Sequence, residues 1–171
     1  TTYSVGQVRV GPWLATYVGT QYTTPNHRGD EVYGGSQLTL ARGDYDQLLQ
    51  LELSDDARQC VEQALVYHRH ALASFPGLLA TRCNYDVVLG TDAAGLRHVG
   101  VLEQSWRIGG ASGAEIAGLI ALRDDPSLAA VCAATHETYE PDAQAPSGGI
   151  VHYQGRDAHG GPLLKYASVN P

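Results

Sequence analysis

The sequence predicts an α+β fold, a mainly antiparallel sheet with helices packed on one side, from three observations. Short apolar or alternating runs broken by Gly and Pro recur near both ends of the chain, as strands joined by turns do. Apolar residues change to a spacing of three and four in only two long segments, after Ser54 and after Ser112. The 20 glycines and 10 tyrosines suit turns and strands, and 171 residues at 43% hydrophobic content suffice for one core. The expected organisation is a single α+β domain over residues 1–171.

Each element follows in order. Ser4–Val10 and Trp13–Val18 flank Gly11-Pro12 as the arms of a hairpin. Residues 20–30 are polar, with Pro25, Asn26 and Gly29, and read as a loop. Glu31–Ala41, carrying Val32, Tyr33, Leu38 and Leu40, returns as a strand. From Ser54 onward Ala57, Val61, Ala64, Leu65 and His68 share one helical face, with Ser54 as the cap and Asp55 and Asp56 in the first turn. Pro76-Gly77 stops that helix. Asn84–Leu89 and the run from Val101 form a central hairpin through Thr91–Gly95. A second helix is expected over Gly113–Arg123, opened by a Ser112/Glu115 capping box with Ile116, Leu119 and Ile120 on its apolar face. Asp124-Asp125-Pro126 ends it and begins a short third helix. Ala143–Gly149 reads as an internal linker, and Ile150–Tyr153 and Leu163–Val169 as terminal strands.

Eleven basic against eighteen acidic side chains give a formal charge of -7. That balance disfavours nonspecific binding to nucleic acid or to an anionic membrane. Cys60, Cys83 and Cys132 form no CxxC pair and read as buried thiols of a reducing compartment, hence a cytoplasmic protein. No 18-residue apolar run and no signal-like start occur. The chain has no Met and opens in strand-like sequence, so a fragment of something longer is expected.

The chemistry concentrates in Val101-Leu102-Glu103-Gln104-Ser105-Trp106-Arg107-Ile108-Gly109-Gly110. On a strand Glu103, Ser105 and Arg107 share a face, combining hard oxygens with a planar donor fork, as a magnesium–phosphate site requires. Asp86, on the preceding strand, brings a second carboxylate to the same cleft if the hairpin forms. The plainer reading is a polar rim in which Glu103 pairs with Arg107. Gly109–Gly113 precedes a helix and offers backbone N–H groups to an anion, though it lacks the Gly-Lys-Ser/Thr ending of a P-loop. Gln7 and Arg9 share a face of the first strand, where Arg9 can reach phosphate or substrate or simply be solvated. His68 and His70, two apart on a helix, make a poor metal pair. His136, Glu137 and Glu140 lack His-Glu-x-x-His order.

These residues resemble a known family. Asp86-Val87-Val88, a turn with Asp92 and Gly95, and then Glu103-Gln104-Ser105-Trp106-Arg107 look like the C-terminal half of the ATP-grasp fold. In that family an acidic residue on one strand and an E-x-N-x-R element on the next hold magnesium on ATP. The resemblance carries Asp86 onto the first acidic position, Glu103 onto the glutamate, Ser105 onto the asparagine and Arg107 onto the arginine. Nearly the whole chain, from Tyr3-Ser4-Val5 through Tyr33-Gly34-Gly35-Ser36 to Lys165-Tyr166-Ala167, is similar to an uncharacterised bacterial group of that superfamily. What the resemblance implies is an ATP- and Mg2+-dependent ligase lobe joining a small-molecule carboxylate to an amine or related nucleophile through an acyl phosphate. Asp86, Glu103 and Ser105 would hold the metal, Glu103, Asp86 and Arg107 the nucleotide, and Arg107 would act on the reacting groups; from its place on the first strand, outside the resemblance, Arg9 is the other catalytic candidate. Three departures stand out: serine replaces asparagine, the seventeen positions from Asp86 to Glu103 are a long spacing, and the single lysine, Lys165, lies near the far end. A missing N-terminal lobe is therefore expected to complete the nucleotide clamp. The alternative is a noncatalytic relative that binds a small ligand or a partner protein.

Overall fold

In the computed structural model, which describes residues 1–170, β1 (Thr2–Val10) and β2 (Trp13–Pro25) meet at Gly11. Pro171, the end of the expected domain, lies outside the described residues. Gly11 takes φ 57°, the left-handed conformation that tight hairpins need and that costs glycine least. β3 (Glu31–Arg42), β4 (Arg82–Thr91), β5 (Arg97–Ser105), β6 (Ala130–Thr138), β7 (Ile150–Arg156) and β8 (Pro162–Asn170) complete the sheet. All eight strands form one sheet in the order β5-β4-β1-β2-β3-β6-β8-β7, with every neighbour antiparallel.

Alternation along β1 divides the core. Val5 belongs to a cluster with Val18, Tyr85 and Val87, covered by α1 (Tyr45–Leu49) and α2 (Asp55–Ser74). Val8, three residues on, belongs to a cluster with Tyr17, Leu38 and Leu40, covered by α3 (Ser112–Asp124). Leu38 and Leu40 are fully buried, each contributing about 2 kcal/mol of hydrophobic stabilisation. Helices therefore lie on both faces, which corrects the one-sided arrangement expected from sequence. The sheet is apolar on both faces over its central strands, so a single layer of helix leaves half of it uncovered.

Other differences have local causes. Residues 20–25 continue β2 instead of forming a loop, because they pair with β3 across a bulge at Gly34. Ala130–Thr138, whose alanines and cysteine blur the alternation that marks a strand, forms β6 between β3 and β8. The five residues of α1 are too short to show a period; Asp44 and Gln47 cap it reciprocally. No third helix follows Asp125, whose carboxylate instead accepts from the Ser127 N–H and Oγ and closes a turn. Ser54 caps α2 as expected, accepting from the Ala57 N–H at 3.2 Å. Ser112 does not cap α3: its Oγ accepts from the Gly109 N–H at 3.0 Å, and the N-cap, Ala111, offers no side-chain bond.

Candidate functional site

The β4–β5 hairpin sets out the carboxylates. Asp86 pairs with Glu103, and Val87 with Val101, leaving Leu102 as an extra residue on β5. Bulges re-aim side chains, and this one separates two functions on adjoining positions. Val101 packs with Val87 on the α2 side, while Glu103, two residues later, faces the α3 side with Asp86. Leu102 itself is exposed.

Asp86, half-buried, accepts on Oδ1 from Ser4 Oγ at 3.3 Å and from Asn84 Nδ2 at 3.1 Å. Among the described residues nothing donates to its Oδ2 or to the exposed Glu103 carboxylate. β5 ends at Ser105, so Arg107 lies in the bend beyond it, its Nη1 donating to the Ile108 carbonyl at 3.1 Å. Arg107 forms no ion pair with Glu103, and the polar-rim pairing expected as the plainer reading is not realised among the described residues. Asp86, Glu103, Ser105 and Arg107 nonetheless line one polar cleft of about 490 Å³. Lys165 joins them: the β6–β8 register sets it opposite Glu137, and its Nζ donates to Glu137 Oε1 at 2.7 Å. The only lysine of the chain, remote in sequence, is thus a wall of the cleft.

A buried network supports this floor. Arg82 Nε and Nη2 donate to the two Glu115 oxygens, each at 2.7 Å, with the side chains 9% and 1% exposed. Tyr17 donates to Glu115 Oε1 at 2.7 Å, and its hydroxyl lies 2.9 Å from Asn84 Oδ1. Asn84 thereby links the network to Asp86. Arg82 Nη1 also donates to the Ser105 carbonyl at 2.7 Å and to the Arg107 carbonyl, holding the segment that carries both residues. Burial opposes the Arg82 charge, but the Glu115 carboxylate outweighs it and raises the guanidinium pKa. Burial, then the Glu115 charge, pushes the Tyr17 hydroxyl well above its ordinary value. Glu115 was expected as a capping residue. A bidentate partner and complete burial draw it inward instead, and no local pattern announces an arginine thirty-three positions away.

Arg9 stands apart. Gln7 on the same face of β1 bonds Thr16 and Asp44, away from Asp86, and Arg9 follows it by two. Arg9 lines a second cleft of about 910 Å³ that shares Arg82, Gly109, Gly110, Glu137 and Lys165 with the first. Gly109–Gly113 forms the partition between the two. Tyr33 reaches the polar cleft from β3, its hydroxyl 2.6 Å from Ser36 Oγ and 3.1 Å from Thr135 Oγ1. His68 is half-buried against the Tyr85 hydroxyl at 2.9 Å and His70 is exposed. Cys60 and Cys83 are buried as expected, whereas Cys132 is exposed on β6.

The donor set fits a hard cation. Two carboxylates set opposite each other across a ladder repel, and three of their four oxygens receive no bond among the described residues. Among the described residues no three His, Cys, Asp or Glu side chains gather to hold a metal. Magnesium commonly takes only one or two carboxylates from the protein and the rest of its shell from phosphate and water, and a carboxylate pair falls within that pattern.

An eight-stranded antiparallel sheet with helices on both faces and a carboxylate–arginine–lysine cleft over one of them defines the class. The chain belongs to the family described as "Protein of unknown function (DUF3182)", which matches residues 1–167. Comparisons with curated proteins and with solved structures found no match. Among the described residues no helix is long and apolar enough to cross a membrane.

Proposed function

We propose that this chain forms the metal- and phosphate-binding lobe of an ATP-grasp-like ligase, which activates a small-molecule carboxylate as an acyl phosphate for attack by an amine or related nucleophile. The observation that carries the reading is the Asp86–Glu103 pairing, with Ser105, Arg107 and Lys165 on the same cleft. Asp86 and Glu103 would hold Mg2+, with the Ser105 hydroxyl beside them. Bound there, the ion supplies neutralisation of phosphoryl charge. Arg107, exposed and bonded among the described residues only to a neighbouring carbonyl, retains N–H groups for phosphate oxygens. Lys165 keeps two N–H groups beyond its bond to Glu137, enough to grip a developing charge on the acyl oxygen. Arg82 acts as a positioning residue through the Ser105 and Arg107 carbonyls.

The second reading, a noncatalytic relative that binds a small ligand or partner protein, draws on the absence of a third acidic ligand among the described residues. Calorimetric titration of ATP with and without Mg2+, into this chain, its Glu103→Ala variant and any longer form, separates the two. Magnesium-dependent binding that Glu103→Ala abolishes supports the ligase lobe. Magnesium-independent binding that the variant leaves unchanged, or silence in every form, overturns it.

A further inference from the structure

We infer that the larger cleft beside the polar one is the binding site for the organic body of an apolar monocarboxylic acid, with its carboxylate directed to Lys165. The inference rests on the ligase reading for the role of that acid as the activated substrate. The site itself stands on the geometry of the cleft. Its volume of about 910 Å³ is in the range of small-molecule pockets. Val8, Val10, Ile108 and Ile116 give it an apolar lining, and Ile108 is 85% exposed. An isoleucine so open to water on the wall of a cavity is stabilised by any apolar ligand that covers it.

Charge selects the class of ligand. The charged groups on the lining are Arg9, Arg82 and Lys165 against Glu115 and Glu137. Glu115 is neutralised by Arg82 and Glu137 by Lys165, so neither carboxylate stands unpaired against a bound acid. Lys165, whose Nζ keeps two N–H groups beyond its bond to Glu137, is then the cation on the lining that can meet a ligand carboxylate, which favours an acid over an amine. Lys165 lies on the wall common to both clefts, so an acid held there presents its carboxylate to the phosphate-binding side while its apolar part stays in the other cavity. A short polar acid would leave Ile108 and Ile116 uncovered, so the lining matches a longer aliphatic or aromatic acid.

The test is calorimetric titration of octanoate, octylamine and butanoate into the chain without metal or nucleotide. Octanoate should bind at least about tenfold more tightly than octylamine and than butanoate, as a charge-assisted contact and four buried methylenes require. Lys165→Gln should weaken octanoate about tenfold, and Ile116→Ser should weaken it several-fold, with thermal melts confirming that each variant folds. The selectivity of the unaltered chain serves should Lys165→Gln unfold. Octylamine binding as tightly as octanoate, or no octanoate binding, overturns the inference. Glu103→Ala separates it from the ligase reading: octanoate binding that survives the variant supports a distinct acid site even if Mg-ATP fails to bind, whereas octanoate binding lost with Glu103 overturns it.

Discussion

Glu115→Leu leaves the Arg82 guanidinium buried without its carboxylate, and the structure sets the scale of the damage. The carboxylate receives two 2.7 Å bonds from Arg82 and one from Tyr17, with the side chain 1% exposed. Breaking a buried pair on one side costs about 3–5 kcal/mol, a large share of the roughly 5–15 kcal/mol that holds a domain folded. With a urea dependence of about 2 kcal/mol per molar, the unfolding midpoint should fall by about 2 M. Arg82→Met should cost a similar amount. The double variant should lose at least about 2 kcal/mol less than the two singles together, because neither charge is then stranded. The assay is urea unfolding followed by far-ultraviolet circular dichroism. Arg82→Met should also loosen the Ser105 and Arg107 carbonyls and weaken Mg-ATP binding, in the double variant as in the single. A Glu115→Leu loss below about 1 kcal/mol, or strict additivity in the double variant, would refute a buried, mutually dependent pair.

Gly35→Ala places a Cβ 2.0 Å from the Thr135 carbonyl oxygen at φ 154°, and should cost about 3 kcal/mol in the same urea assay. Burial lowers the His68 pKa below its ordinary 6.5, and burial does the same for His136. The unfolded chain therefore binds more protons just below pH 6.5, so stability should fall as pH drops through that value, with a shallower fall in His68→Gln; urea midpoints from pH 7.5 to 5 check it. Burial pushes the Cys60 and Cys83 thiols up to about 11, whereas Cys132 is exposed. A chromogenic disulfide reagent at pH 8 should therefore titrate one thiol in the native protein and three in denaturant.

Local sequence sufficed where structure is decided locally. The Gly11 hairpin, the Ser54-capped helix and the pairing of Asp86 with Glu103 through a short turn were all legible, because turn chemistry, helical period and strand alternation operate within a few residues. The polar cleft was half legible for the same reason: Asp86, Glu103, Ser105 and Arg107, the four residues expected there, come from one hairpin and the bend after it. Tertiary structure decided the rest. It brought Lys165 from the eighth strand to the cleft, drew Glu115 from a cap into an ion pair with Arg82, and placed Arg9 in the neighbouring cavity. It also put helices on both faces, since a strand's pattern tells which residues share a side but not which distant element will cover it. Long-range burial rewards the contacts that remove the most apolar surface and satisfy the most buried polar groups, and that competition is settled only when all eight strands have found their neighbours.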